Sequence, residues 1–182
     1  GGLKVEWLAE DGDASVLQAE FEAAVGGDRG GVNTVLTAPE GLEAAPIFDH
    51  GDSASVEVAV DPVANRYMSY MSMVVPSNDA FIGNHDPHAI ELFDAAGQFK
   101  GKKIVTVLGS MVWDAGTELN NEMDAAFLNQ TDPNTGVTTH CPVTPHPGQI
   151  GSYGNPGGEP IALGATNPLG VYLDPVATDF TI

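Results

Sequence analysis

The sequence predicts an all-β, antiparallel fold with one or two short peripheral helices. From Gly30 onward the chain alternates β-favourable runs with Gly, Pro, Asn and Asp punctuation. One run, Arg66 to Val75, has too little polarity on either face for an ordinary surface strand and is expected at the centre of a sheet. The connection ahead of it, Asp61-Pro-Val-Ala-Asn65, is short enough to join antiparallel neighbours.

In chain order, Leu3 to Ala9 is a short apolar segment ended by the turn residues Glu10 to Asp13. Ser15-Val-Leu-Gln18 has the form of a capping box, and Val16, Leu17, Phe21, Ala24 and Val25 follow at helical spacing until Gly26-Gly27. An amphipathic helix on a sheet edge is expected there. Val32 to Leu36 is a short strand, Pro39 to Gly41 a turn, and Ser55 to Val60 the clearest half-buried strand, with Val56, Val58 and Val60 on one face. Asp61 to Asn65 then makes Ser55 to Val60 an antiparallel neighbour of the central run. Pro76 stops that run because proline cannot donate to a ladder, and Ser77-Asn78 has turn chemistry, so Asp79 lies just beyond a strand end. Asp86-Pro87 is expected to open a short helix through Ala96, closed by Gly97, and Ile104 to Val112 to be a strand. Residues 129–170, rich in Pro and Gly, read as a long irregular loop region with disorder as the competing reading; short strands follow at Gly170 to Leu173 and Val176 to Ile182.

The 182 residues fit a single domain, and 42% hydrophobic residues suffice to fill its core. Charge narrows the function classes. With 25 acidic against 6 basic residues the formal charge is −19, a surface that repels nucleic acid and anionic membranes and attracts divalent cations or basic partners. Solubility in a salty or calcium-rich medium is the competing explanation. No apolar run approaches the roughly 18 residues of a membrane span. Cys141 is the single cysteine, which excludes an intramolecular disulfide.

Three blocks together resemble the spondin N-terminal domain, the extracellular module of F-spondin, mindin and many bacterial secreted proteins. Ser69-Tyr-Met-Ser-Met73 followed by Pro76-Ser-Asn-Asp79, Phe81 and Gly83 is similar to the family's strand and Pro-Ser-x-Asp signature. Leu8-Ala-Glu-Asp-Gly12 looks like its Ala-Glu-x-Gly element, and Trp113-Asp-Ala-Gly-Thr-Glu118 looks like its Trp-Asp-Ala-Gly-Thr-acid element. The resemblance implies a C2-like antiparallel β-sandwich binding one calcium ion, with Asp79, Asp114 and Glu118 as ligands. Glu118 stands where vertebrate members carry Asp. It further implies a secreted, non-enzymatic adhesion or extracellular-matrix-binding module whose partner is an extracellular protein or glycan. No signal peptide opens the chain, so the secretion that the resemblance implies makes it a mature or trimmed form.

The chemistry of the three acids agrees with that implication. Asp114 and Glu118 flank Ala115-Gly116, and a glycine turn there lets both carboxylates curl toward one point. Carboxylates packed together raise one another's pKa, and a hard-oxygen donor set favours calcium over magnesium. The competing reading has Asp79 capping a turn and Asp114 with Glu118 in a solvated loop. Zinc at His85 and His88, or at Cys141 with His140 and His146, is a weaker alternative, as is Cys141 with a histidine as a nucleophile pair. Asp132 to Gly136 lacks EF-hand spacing, and Asn129-Gln-Thr131 is a formal glycosylation sequon.

Relative to the resemblance, the chain begins almost on the Ala-Glu-x-Gly element, and the family's opening strand is missing. Either the sequence is a truncated piece of the family's domain, or the gap leaves an open sheet edge that a partner's strand fills. The alternative function follows: a structural subunit of an extracellular assembly, joined to copies of itself by strand complementation.

Overall fold

A computed structural model describes residues 3–25, 30–38, 47–48, 51–75, 77–108, 111–120, 136–146 and 178–181. Among the described residues two helices, α1 (Leu3–Asp11) and α2 (Ser15–Val25), precede eight short strands. These are β1 (Tyr67–Met68), β2 (Met71–Met73), β3 (Ala80–Gly83), β4 (Ile90–Glu91), β5 (Thr106–Leu108), β6 (Trp113–Asp114), β7 (Thr144–Pro145) and β8 (Thr178–Thr181). Every pairing is antiparallel. The largest sheet runs β2-β3-β6-β7, and β1-β4 and β5-β8 form two-stranded ladders.

Both helices follow from local chemistry. The α1 segment was expected as a short apolar stretch with Glu10 and Asp11 in the turn after it; instead it is a helix that continues through both. It ends at Gly12, whose φ of 70° permits the reversal. There Gly12 N–H donates to Leu8 O, the single bond of an αL cap, and Asp13 N–H donates to Trp7 O. The α2 helix matches its expected span, yet its cap differs from a capping box. Asp13 Oδ1 accepts from Ser15 N–H at 2.8 Å, and the Gln18 side chain turns away to donate to Asn33 Oδ1.

The run expected to be one central strand is divided. Tyr67–Met68 pairs with β4 while Met71–Met73 pairs with β3. Between them Tyr70 N–H donates to Asn84 Oδ1, so a side chain replaces a ladder carbonyl. The centre of the sheet is β3, paired on both edges, with Ala80, Phe81 and Ile82 buried. Val74, Ala80, Ile82, Val107 and Val112 form one core cluster; Ala9, Phe81 and Ala115, with Val5 and Trp113 against them, form a second that seats α1.

Several expected elements are absent from the described residues. Val32 to Leu36 and Ser55 to Val60 form no strand, and Val56, Val58 and Val60 are exposed at 47%, 39% and 38%. Period-two alternation specifies an extended chain but supplies no partner. The turn between Asp61 and Asn65 does form, with Asp61 Oδ1 accepting from Val63 and Ala64 N–H, but it joins no ladder on the Ser55 to Val60 side. Asp86 to Ala96 is not a helix. Asp86 and Asp94 each hold a tight turn with their carboxylates, β4 lies between, and Phe93 bridges Phe99. The Ile104 to Val112 strand is reduced to β5, with Val112 in the core before β6. Of the irregular region 129–170, residues 136–146 are ordered by pairing: Glu118 bridges Thr138, and β7 pairs with β6. The remainder, with Pro39 to Gly41, Gly170 to Leu173 and the Asn129 sequon, lies outside the described residues. The β8 strand falls within the expected Val176 to Ile182 segment.

Candidate metal centre at the acidic end of the sheet

The β2-β3 hairpin positions Asp79. Val74 N–H donates to Ala80 O, and Ser77 Oγ donates to Val74 O at 2.6 Å while accepting from Ala80 N–H at 3.0 Å. Ser77, Asn78 and Asp79 are all buried, Asp79 at 0% exposure. This turn therefore faces the interior.

The β6 strand brings the second acid alongside. Ala80 pairs with Asp114, and Ala115 N–H donates to Asp79 O at 3.1 Å. Asp114 belongs to the strand and not to the loop after it. Gly116 then reverses the chain at φ 69°, and an added Cβ would stand 2.6 Å from Cys141 O. Only glycine fits there without moving backbone. The reversal carries Thr117 and Glu118 back over Asp79, whose Oδ2 accepts from Thr117 N–H at 2.7 Å and Glu118 N–H at 3.1 Å. The 136–141 segment clamps the loop from outside: Leu119 N–H donates to Val137 O, Thr139 N–H to Thr117 O and Cys141 N–H to Gly116 O.

Asp79, Asp114 and Glu118 are thus all buried, at 0%, 7% and 5% exposure, on adjoining backbone. Their carboxylates are held by different donors. Asp114 accepts from Gly116 N–H and the Asn120 amide, and Glu118 Oε1 accepts from Gly136 N–H at 2.9 Å. Among the described residues no three acidic, histidine or cysteine side chains are grouped as ligands of one ion. What the arrangement leaves open is Asp79 Oδ1, buried and without a hydrogen-bond partner. A free acceptor on a buried acid, among oxygen donors only, fits a hard cation.

Sequence reasoning passed over Glu10. It was placed in a turn, yet it sits in the last turn of α1 at 3% exposure, with Oε1 unpartnered. Burial pushes its carboxyl from 4.5 up to about 8, against a hydrogen bond from the Thr117 side chain, with the charges of Glu118, Glu6 and Asp79 adding to the rise. Asp79 is raised by the same leading cause; the Glu118 amide lowers it, the Asp114 charge adds to the rise, and Thr117 lowers it. The available signal was helical spacing: Val5, Leu8 and Ala9 mark the inner face, and Glu10 adjoins it.

The family assignment rests on the same segments. The Spondin_N family model matches residues 2–153, well over half of the chain. The chain belongs to the Spondin_N family. That family is one of extracellular, non-catalytic modules, and the match spans the hairpin, the Gly116 loop and α1 alike. No curated protein and no solved structure matches the chain. Among the described residues no helix is long and apolar enough to cross a membrane.

The alternative sites do not assemble. His85 lies beside Trp113, with ring centroids 5.9 Å apart, whereas His88 lies edge-on to Tyr67 at 4.8 Å. Cys141 is exposed, and its N–H serves the Gly116 clamp.

Proposed function

We propose that this Spondin_N chain is a single secreted, non-enzymatic module of C2-like sandwich form whose acidic end binds one calcium ion, and that the ion orders the loops there for adhesion to an extracellular protein or glycan. The observation that carries this reading is the partnerless Oδ1 of fully buried Asp79. Asp79, Asp114 and Glu118 would hold the ion, with backbone carbonyls and water completing a shell of about 6–8 oxygens. Bound calcium supplies the positive charge that lets adjoining buried carboxylates remain ionised. The chain supplies the positioning. The amides of Thr117 and Glu118 fix Asp79 through Oδ2 and leave Oδ1 open, while Gly136 N–H and Gly116 N–H orient Glu118 and Asp114.

Thermal melting with calcium and with chelator tests the metal assignment. Calcium is expected to raise the melting temperature of the wild type, and Asp114→Ala to abolish the rise. An equal rise in both would remove Asp114 from the site. Adhesion is tested by surface binding to extracellular-matrix proteins and glycans; binding indifferent to chelator would separate it from the ion.

A second reading is favoured by Val56, Val58 and Val60, exposed at alternating positions with no strand beside them among the described residues. A strand from a second copy would cover them, making the chain a subunit of an extracellular assembly. Light scattering decides between the two, since a monomer at every calcium concentration contradicts assembly.

A further inference from the structure

We propose that Glu10 is a fourth carboxylate of the calcium site, through which the ion fastens helix α1 to the sheet. The inference rests on the calcium reading above and extends it to a residue outside the strand-and-loop pair. Glu10 is buried to 3% exposure with Oε1 lacking any hydrogen-bond donor, as is Asp79 Oδ1. Glu118 and Asp79 are among the charges that bear on Glu10. Neither oxygen has a donor, and a proton or a cation is what satisfies such an atom.

The Thr117 hydroxyl is already engaged. Thr117 Oγ1 stands 3.3 Å from Asp79 Oδ2, and a hydroxyl proton donated there leaves Glu10 Oε1 without a donor. Apolar packing brings α1 to this place without using Glu10. Val5 and Ala9 pack with Phe81, Ala115 and Trp113, and Ala115 adjoins Asp114. The helix end thus lies against the Gly116 loop, with an acid turned inward where solvent would cost nothing. An inward acid destabilises the docked helix unless something positive meets it. Calcium supplies that partner, so docking of α1 and calcium binding strengthen each other reciprocally.

The test is amide hydrogen exchange and calcium calorimetry on the wild type, Glu10→Gln, Glu10→Asp and Asp79→Asn. In the wild type, calcium is expected to slow exchange at Leu8 to Asp11 more than at Ile90 and Glu91, which lie in the separate β1-β4 ladder. Glu10→Gln is expected to weaken calcium binding by about tenfold or more and to abolish the extra protection of α1. Glu10→Asp keeps the charge on a shorter arm and should recover part of both, which keeps the test informative if the Gln variant does not fold. Wild-type affinity in Glu10→Gln, or α1 protection no greater than that of β4, overturns the proposal. Asp79→Asn separates the two levels. Loss of binding there with full binding in Glu10→Gln removes Glu10 alone, whereas full binding in Asp79→Asn removes the site on which the proposal rests.

Discussion

Asp61 and Asp79 do the same local work in opposite surroundings. Each carboxylate gathers two backbone N–H groups of a nearby turn, Val63 and Ala64 for Asp61, Thr117 and Glu118 for Asp79. At exposed Asp61 those bonds decide the outcome, and the carboxyl is held below its ordinary value. At Asp79 burial outweighs similar bonds and the carboxyl rises. Amide donors alone therefore do not make a stable anion in this interior. The Asp61 turn is complete as it stands; the Asp79 turn keeps an open oxygen and a demand for positive charge.

The largest effect that would break this contrast is expected from Gly116→Ala. A Cβ there meets the Cys141 carbonyl at a positive φ, so the loop that delivers two amides to Asp79 cannot keep its path. A loss of about 3 kcal/mol in denaturant unfolding is expected, together with loss of calcium binding. Asp79→Ala comes next, because it orphans the buried amides of Thr117 and Glu118; about 2–3 kcal/mol is expected in the same measurement.

The pH dependence sharpens the comparison by its sign. Glu10, raised from 4.5 to about 8, binds more protons folded than unfolded. Its contribution to metal-free stability is full below 4.5 and is lost as pH rises through about 8. The midpoint of urea unfolding in chelator is therefore expected to fall across that window, and Glu10→Gln to flatten the slope. Asp61 has the opposite sign: its lowered carboxyl contributes above the unfolded value and loses that contribution as pH falls. Asp61→Ala is expected to give the smallest effect, a slight lowering of the melting temperature at neutral pH that vanishes in acid.

What was legible in the sequence follows the same division between local and distant causes. The α2 helix, the Ser77-Asn78 turn and the Asp61 turn are written in adjacent residues, and all three form. Asp79, Asp114 and Glu118 were named through the family's local motifs, the Pro-Ser-x-Asp signature and the Trp-Asp-Ala-Gly-Thr-acid element. Their burial could not be foreseen, since it depends on the 136–141 segment folding over the loop and on α1 packing beneath it. Ser55 to Val60 failed for the converse reason: its pattern is perfect locally, but a strand exists only with a neighbour. Glu10 escaped notice because Glu10-Asp-Gly-Asp13 looks like a polar turn, whereas the helix runs on through Asp11 to its αL cap at Gly12.

The most direct test of the account is a calorimetric titration of calcium into the chelator-treated wild type and into Asp79→Asn, which keeps an amide-accepting oxygen while removing the charge. Saturable one-site binding in the wild type, absent from a variant that remains folded by circular dichroism, is the predicted result. No binding in the wild type, or the same binding in both, would contradict it, and Asp79 would then be a buried acid satisfied by its own proton.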